Sequence, residues 1–183
     1  MKAVEVVVKN RQSGIALIGP YSHEEGLQLY GQPGMPGRRP VKYQVPAYEV
    51  YVSGKGPFRA IRFGLRNTGG TPPARRPCDT GLSHQRVCQP TWIPTYSPRS
   101  FRGQSRPGAW QLLPGKGFLI HEGPDLGEFG GSIGCIEILD GKWGHFLWQI
   151  EDIAGAPCAP VGASRGLTVI LEAANYPVAG LIA

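Results

Sequence analysis

Along much of this chain apolar residues recur in short runs with a period near two, the spacing that turns one face of a β-strand into a core. Two such runs, VEVVV at 4–8 and IALIG at 15–19, flank KNRQSG, whose Asn, Ser and Gly suit a hairpin turn. They predict a small N-terminal β element. GQPGMPGRRP at 31–40 holds three prolines and three glycines and reads as a connector without regular structure. The clearest hairpin is YEVYVSGKGPFRAIRFGL at 48–65, where Tyr48, Val50 and Val52 alternate with Glu49 and Tyr51. Beyond the SGKGP turn, Ala60, Arg62 and Gly64 alternate with Ile61, Phe63 and Leu65.

From Arg66 to Arg106 this periodicity stops, and Pro, Gly, Arg and Ser surround the isolated aromatics Trp92, Tyr96 and Phe101. So long a stretch without apolar anchoring reads as a functional loop, of the kind that lies over a site as a lid. Strand patterns return at GAWQLL (108–113), GFLIHEG (117–123) and SIGCIEIL (132–139). After Asp140, an expected N-cap, Trp143, Phe146, Leu147, Ile150 and Ile153 follow at helical spacing up to a stop at Gly155. GLTVILEA at 166–173 supplies a last buried strand, and no internal repeat is visible. The expected fold class is therefore mainly β, β-rich with one short helix after the strand that carries Cys135.

Composition narrows what such a fold serves. The 183 residues are 41% hydrophobic, enough for one good core and a small appendage. With 27 glycines and 18 prolines the chain is turn-rich, yet its apolar runs extend from end to end, so a folded β protein is expected. A net charge of +6 and a pI near 9.3 suit a polyanionic partner: nucleic acid, an anionic membrane or a cell-wall polymer. MKAVEVVVKN at 1–10 lacks the pattern of a cleaved signal, and no apolar run reaches membrane-spanning length. The expectation is a protein made in the cytoplasm without a signal peptide and with no transmembrane segment.

Four cysteines, Cys78, Cys88, Cys135 and Cys158, are too few for a disulfide framework and lack the paired spacing of a zinc site. Cys78 and Cys88 either close a small loop in an oxidising compartment or stand as free thiols. His121, Cys135, His145 and Cys158 match no common zinc-ligand pattern, so neither metal nor cofactor is expected.

FLIHEGPDLGEFGGSIGCIEILD at 118–140 carries the chemistry. A cysteine attacks as thiolate, and a free thiol with a pKa of about 8.5 needs a nearby base. His121, fourteen residues before Cys135, is the natural candidate if the two sit at neighbouring strand ends. Gly130, Gly131 and Gly134 leave backbone N–H groups uncovered near the sulfur, as an oxyanion hole requires, and let a peptide approach closely. His145 lies beside the apolar helix stripe and reads as structural. A competing reading is a basic nucleic-acid-binding β module using Arg75, Arg76, Arg86, Arg99, Arg102 and Arg106 with Trp92, Tyr96 and Phe101. Another is a different cysteine acyl hydrolase, although papain-like amidases place their Cys at a helix start upstream of His.

HEG, a glycine-rich link and SIGCIEI together resemble the signature of the L,D-transpeptidase (YkuD-like) catalytic domain family, in which a His precedes an S/T-H-G-C segment bearing the nucleophile. The resemblance covers residues 48–173, with 118–140 its specific part. Ile133 stands where the family commonly has the histidine before Gly-Cys, and Glu137 where it has Arg or Asn. The shorter His-to-Cys link adds to a likeness with a divergent branch of secreted antibacterial effectors. The resemblance implies an L,D-transpeptidase-like β-sandwich or barrel over 48–183, with 1–47 as an N-terminal β extension and connector.

It also implies that Cys135 attacks a peptidoglycan tetrapeptide stem and forms a thioester, that His121 moves the proton, that Ser132 orients the loop, and that the Gly134 and Cys135 amides bind the oxyanion. Gly123, Gly131, Trp92, Tyr96 and Arg102 are the expected substrate contacts. Transfer to an amine would make an L,D-transpeptidase, and transfer to water an L,D-carboxypeptidase. The implied partners are peptidoglycan stem peptides, a cognate immunity protein and a secretion-machine carrier, with no nucleic acid. The implied site of action is the periplasm of a target bacterium.

Overall fold

Val4, Val6 and Val8 are buried while Glu5 between them is exposed, and this alternation sets the face that the first strand turns to the core. The computed structural model describes residues 1–18, 42–63, 65–67, 75–77, 84–96, 106–113, 117–123, 135–175 and 180–182. In chain order its strands are β1 (Val4–Ile18), β2 (Lys42–Val52), β3 (Lys55–Ile61), β4 (Leu65–Asn67), β5 (Arg75–Pro77), β6 (Arg86–Cys88), β7 (Thr91–Ile93), β8 (Ala109–Gln111), β9 (Leu119–Glu122) and β10 (Ile136–Ile138). Two helices come next, α1 (Trp143–Ala154) and α2 (Cys158–Ala163), and then β11 (Leu167–Leu171) and β12 (Gly180–Ile182).

The main sheet runs β6-β11-β1-β2-β3-β10-β9-β8-β7, with β12 alongside β2, and β4 and β5 form a separate pair. Pairs β1–β11 and β9–β10 are parallel and the others antiparallel. The fold is mainly β, as the patterning implies: an open, curled sheet, a half-barrel, with two short helices.

Both helices pack on one face of the sheet. Trp143, Phe146, Leu147 and Ile150, all buried, meet Val6, Val50, Phe58, Ile120, Ile138 and Val169 in the principal core. Burying each such aliphatic side chain contributes about 1.5–3 kcal/mol. On the other face Ala16, Val45, Ala47, Ile61 and Leu139 form a smaller cluster. Gly155, in the left-handed region at φ 67°, ends α1 by donating its N–H to the Glu151 carbonyl, at the position where the sequence places the stop.

Several expectations are corrected. Residues 4–18 form one strand, not a hairpin: KNRQSG is absorbed as irregularities between Val8, Gln12 and Ile15 while the pairing with β2 continues. The boundary expected at residue 47 falls inside β2, and β1 lies mid-sheet between β11 and β2. Residues on both sides of that boundary therefore share one core. The loop expected over 66–106 contains β5, β6 and β7, of which β6 and β7 form the two margins of the main sheet.

The strand expected at 132–139 is confined, among the described residues, to Ile136–Ile138. Asp140 is not the N-cap of α1; Lys142 holds that place without a side-chain cap bond. The Asp140 carboxylate is instead gripped by Arg59 Nη1 at 3.0 and 3.2 Å. Helix α2 and strand β12 have no counterpart in the sequence reading. The connector at 31–40 lies outside the described residues. Cys88 is a free, buried thiol.

Candidate active site

Strands β9 and β10 run side by side in parallel, with Ile136 opposite Ile120 and Glu137 opposite His121. Parallel neighbours need a crossover of a dozen or so residues, which is the length of the 123–135 link. Residues opposite each other in such a pair point to the same face, and side chains two apart along a strand do likewise. His121 and Glu137 therefore share one face, on which the same alternation places Cys135, the residue before β10, while Ile120, Ile136 and Ile138 point into the principal core. Cys135 precedes the row of His121 by two residues, a Cα separation of about 8 Å from ordinary strand spacings. His121 lies in β9 and Cys135 immediately before β10, so the strands expected to carry them are neighbours, parallel, with His121 in the row beyond the sulfur, although Cys135 itself falls just outside its strand.

His121 is buried, 4% exposed. Its Nδ1 lies 2.6 Å from the Glu122 carbonyl oxygen, which only accepts, so Nδ1 carries the proton and Nε2 is the basic nitrogen. Burial, opposed by that bond, lowers the imidazole to a pKa of about 4. The Tyr96 ring lies 5.2 Å from the imidazole at 44°. Tyr96 is itself held by backbone bonds, its N–H donating to Ile93 and its carbonyl accepting from Gly108 at 2.8 Å.

Cys135 is half-buried, and its Sγ donates to the Gly117 carbonyl at 3.4 Å. Burial pushes the thiol up to about 12; a hydrogen bond with the Leu119 backbone opposes this, and the negative charge of Glu137 adds to it. Burial thus favours the neutral form of each group, thiol and imidazole. Attack in such a site couples proton transfer to Nε2 with formation of the S–C bond.

The remaining expected residues divide. Gly123 donates its N–H to Ile138 O at 2.8 Å, and a Cβ there would stand 2.9 Å from Glu137 Cβ, so it is pressed against β10. Trp92 shares a row with Trp110 and through it with Ile120, which directs it into the principal core; its ring lies 4.9 Å from that of Trp110. The structure thus brings Tyr96 to His121 and sends Trp92 to the opposite face. Ser132, Gly134, Gly131 and Arg102 lie outside the described residues.

Of the basic and aromatic set, Arg106 pairs with Glu151 at 2.6 and 2.8 Å, while Arg99 and Phe101 lie outside the described residues. His145 packs against Phe58 and Trp148, and Cys158 is in the core. Among the described residues no three His, Cys, Asp or Glu gather as a metal site. No described helix is long and apolar enough to cross a membrane.

Glu137 entered the sequence reading only as a departure from a motif. The alternation Cys-Ile-Glu-Ile was the available signal, because it puts residues 135 and 137 on one face. The Glu122 carbonyl had no side-chain signature at all. Comparison of the chain with protein-family models, with curated proteins and with solved structures finds no match in any of the three.

Proposed function

We propose that the chain is a cysteine-dependent peptidoglycan-modifying enzyme of L,D-transpeptidase or L,D-carboxypeptidase type. The observation that carries the reading is His121 in β9 beside Cys135 at the start of the adjacent parallel strand, with Nδ1 committed to Glu122 so that Nε2 is the base. Cys135 gives its proton to His121 Nε2 as Sγ bonds to the carbonyl of the stem's diamino acid. The C–N bond to the terminal D-Ala then breaks, and the proton on Nε2 passes to the departing amine. The thioester is resolved by an amine, giving a cross-link, or by water, giving a trimmed stem, and His121 accepts the nucleophile's proton. The likeness of residues 118–140 to the effector branch supports a secreted antibacterial toxin acting in a competitor's periplasm, with an immunity protein in the producer.

The test is D-Ala release or exchange from purified muropeptides. Cys135→Ala abolishes it, and His121→Ala lowers it by about 10²–10⁴-fold, the contribution of a positioned acid–base group. Undiminished turnover by Cys135→Ala overturns the reading. In cells, a version given a periplasmic signal arrests growth or alters shape, whereas the cytosolic version and periplasmic Cys135→Ala do not. Tripeptide stems accumulate if water is the acceptor and direct diamino-acid cross-links if an amine is; equal toxicity from the cytosolic form sinks the periplasmic role.

A further inference from the structure

Away from Cys135, where β1 outruns its partner β11, the sheet opens into a cleft of about 690 Å³ lined by Asn10, Gln12, Tyr48, His84 and Asn175, with two alanine methyls from residues 173 and 174. It has a local cause. The pairing of β1 with β2 shifts on either side of Gln12, re-aiming the side chains there, and β11 ends at Leu171 while β1 continues to Ile18. The rim is fixed by Glu172, whose carboxylate receives Lys9 Nζ at 2.7 Å and the Asn10 N–H at 3.0 Å.

Beneath lies Arg62, fully buried, with its guanidinium donating to the carbonyls of Lys9 and Glu172. It stands 5.9 Å from the Tyr48 ring centroid and 5.4 Å from that of Phe63. One guanidinium thus links Tyr48 and the two strand ends.

The lining has a distinct chemistry. The lining residues include three with carboxamides, a tyrosine and a histidine, side chains that can each donate and accept a hydrogen bond. Among the described residues the lining includes no carboxylate, ammonium or guanidinium, although the chain as a whole carries +6. The charges next to it are engaged, Lys9 with Glu172 and the buried Arg62 with the carbonyls of both. A polyanion site would present cations, and a lipid or drug-like site would be walled by aliphatic side chains. The volume lies within the roughly 300–1,000 Å³ of ligand clefts. Hydroxyl and acetamido groups on a small ring complement such a surface, and the alanine methyls suit its C–H faces.

We infer that this cleft binds an uncharged saccharide, specifically an N-acetylated amino sugar. The saccharide class follows from the lining, whereas the acetamido specificity rests on the peptidoglycan reading, whose glycan is built of such sugars. The experiment uses the full-length Cys135→Ala protein, titrated calorimetrically with an N-acetylglucosamine tetramer, a glucose tetramer and a single-stranded oligonucleotide. The N-acetylglucosamine tetramer binds and the other two do not. Gln12→Ala and Asn175→Ala, both at exposed positions, each weaken binding about five- to tenfold, the loss of a neutral hydrogen bond.

Equal binding of the glucose tetramer overturns the acetamido assignment. Absence of sugar binding, sugar binding indifferent to both substitutions, or preference for the oligonucleotide overturns the site. Because D-Ala release is measured separately on the unmodified enzyme, sugar binding without that activity removes the peptidoglycan reading and leaves the cleft, while the converse removes the cleft alone.

Discussion

Cys135 and Glu137 stand two residues apart, and the carboxylate bears on the ionisation of the thiol. The carboxylate of Glu137 disfavours a second negative charge on the sulfur, which adds to the effect of burial. Removing it without changing shape lowers the energy of the thiolate, so the thiol's pKa falls. Glu137→Gln therefore moves the pH profile of iodoacetamide alkylation at Cys135 to lower pH and raises the rate at any fixed pH below the folded thiol's pKa. A profile that stays in place separates the carboxylate from the sulfur's chemistry. The proposed nucleophile and base, Cys135 and His121, come from residue type and spacing, because such roles are encoded by side chains. The acceptor that fixes the imidazole is the main-chain carbonyl of Glu122, and any residue at that position offers the same oxygen.

Secondary-structure elements were legible where their period is unbroken. The stripe Trp143, Phe146, Leu147 and Ile150 is the buried face of α1, and the Tyr48–Leu65 alternation gave the β2–β3 hairpin. Three-residue strands such as β6 and β7 carry too few positions for a period to register, and their identity comes from the neighbours they join. The same holds for α2, six residues whose Gly162 backs onto β7. A Cβ at Gly162 would stand 2.8 Å from Trp92 Cβ and 3.0 Å from Trp92 N. Backbone cannot yield as a flexible side chain does, so Gly162→Ala pushes α2 off the sheet margin at a cost of about 1–3 kcal/mol. The expected readout is a fall of several degrees in Tm with a weakened near-ultraviolet signal from the Trp92–Trp110 pair. An unchanged melting curve and spectrum would show that the contact is slack.

For the molecule as a whole, residues 1–18 are interior to the sheet although they begin the chain. Patterning assigned them correctly to β structure and could not place them, because β1 closes onto β11 across more than 150 residues of sequence. Deleting residues 1–18 strips β2 and β11 of their shared neighbour and removes Val4, Val6 and Val8 from the core. The truncated protein is expected to lack a cooperative unfolding transition and to be recovered insoluble. A sharp transition from residues 48–183 alone would restore the boundary that the sequence suggested.

The two margins of the main sheet, β6 and β7, are joined by only Gln89 and Pro90. Three chain steps reach at most about 11 Å, so the first and last strands of the path come together at that end however long the path between them. Gln89 and Pro90 thus tie the two margins of the open sheet together at one end, and a residue inserted there would lengthen that tie and let the margins move apart.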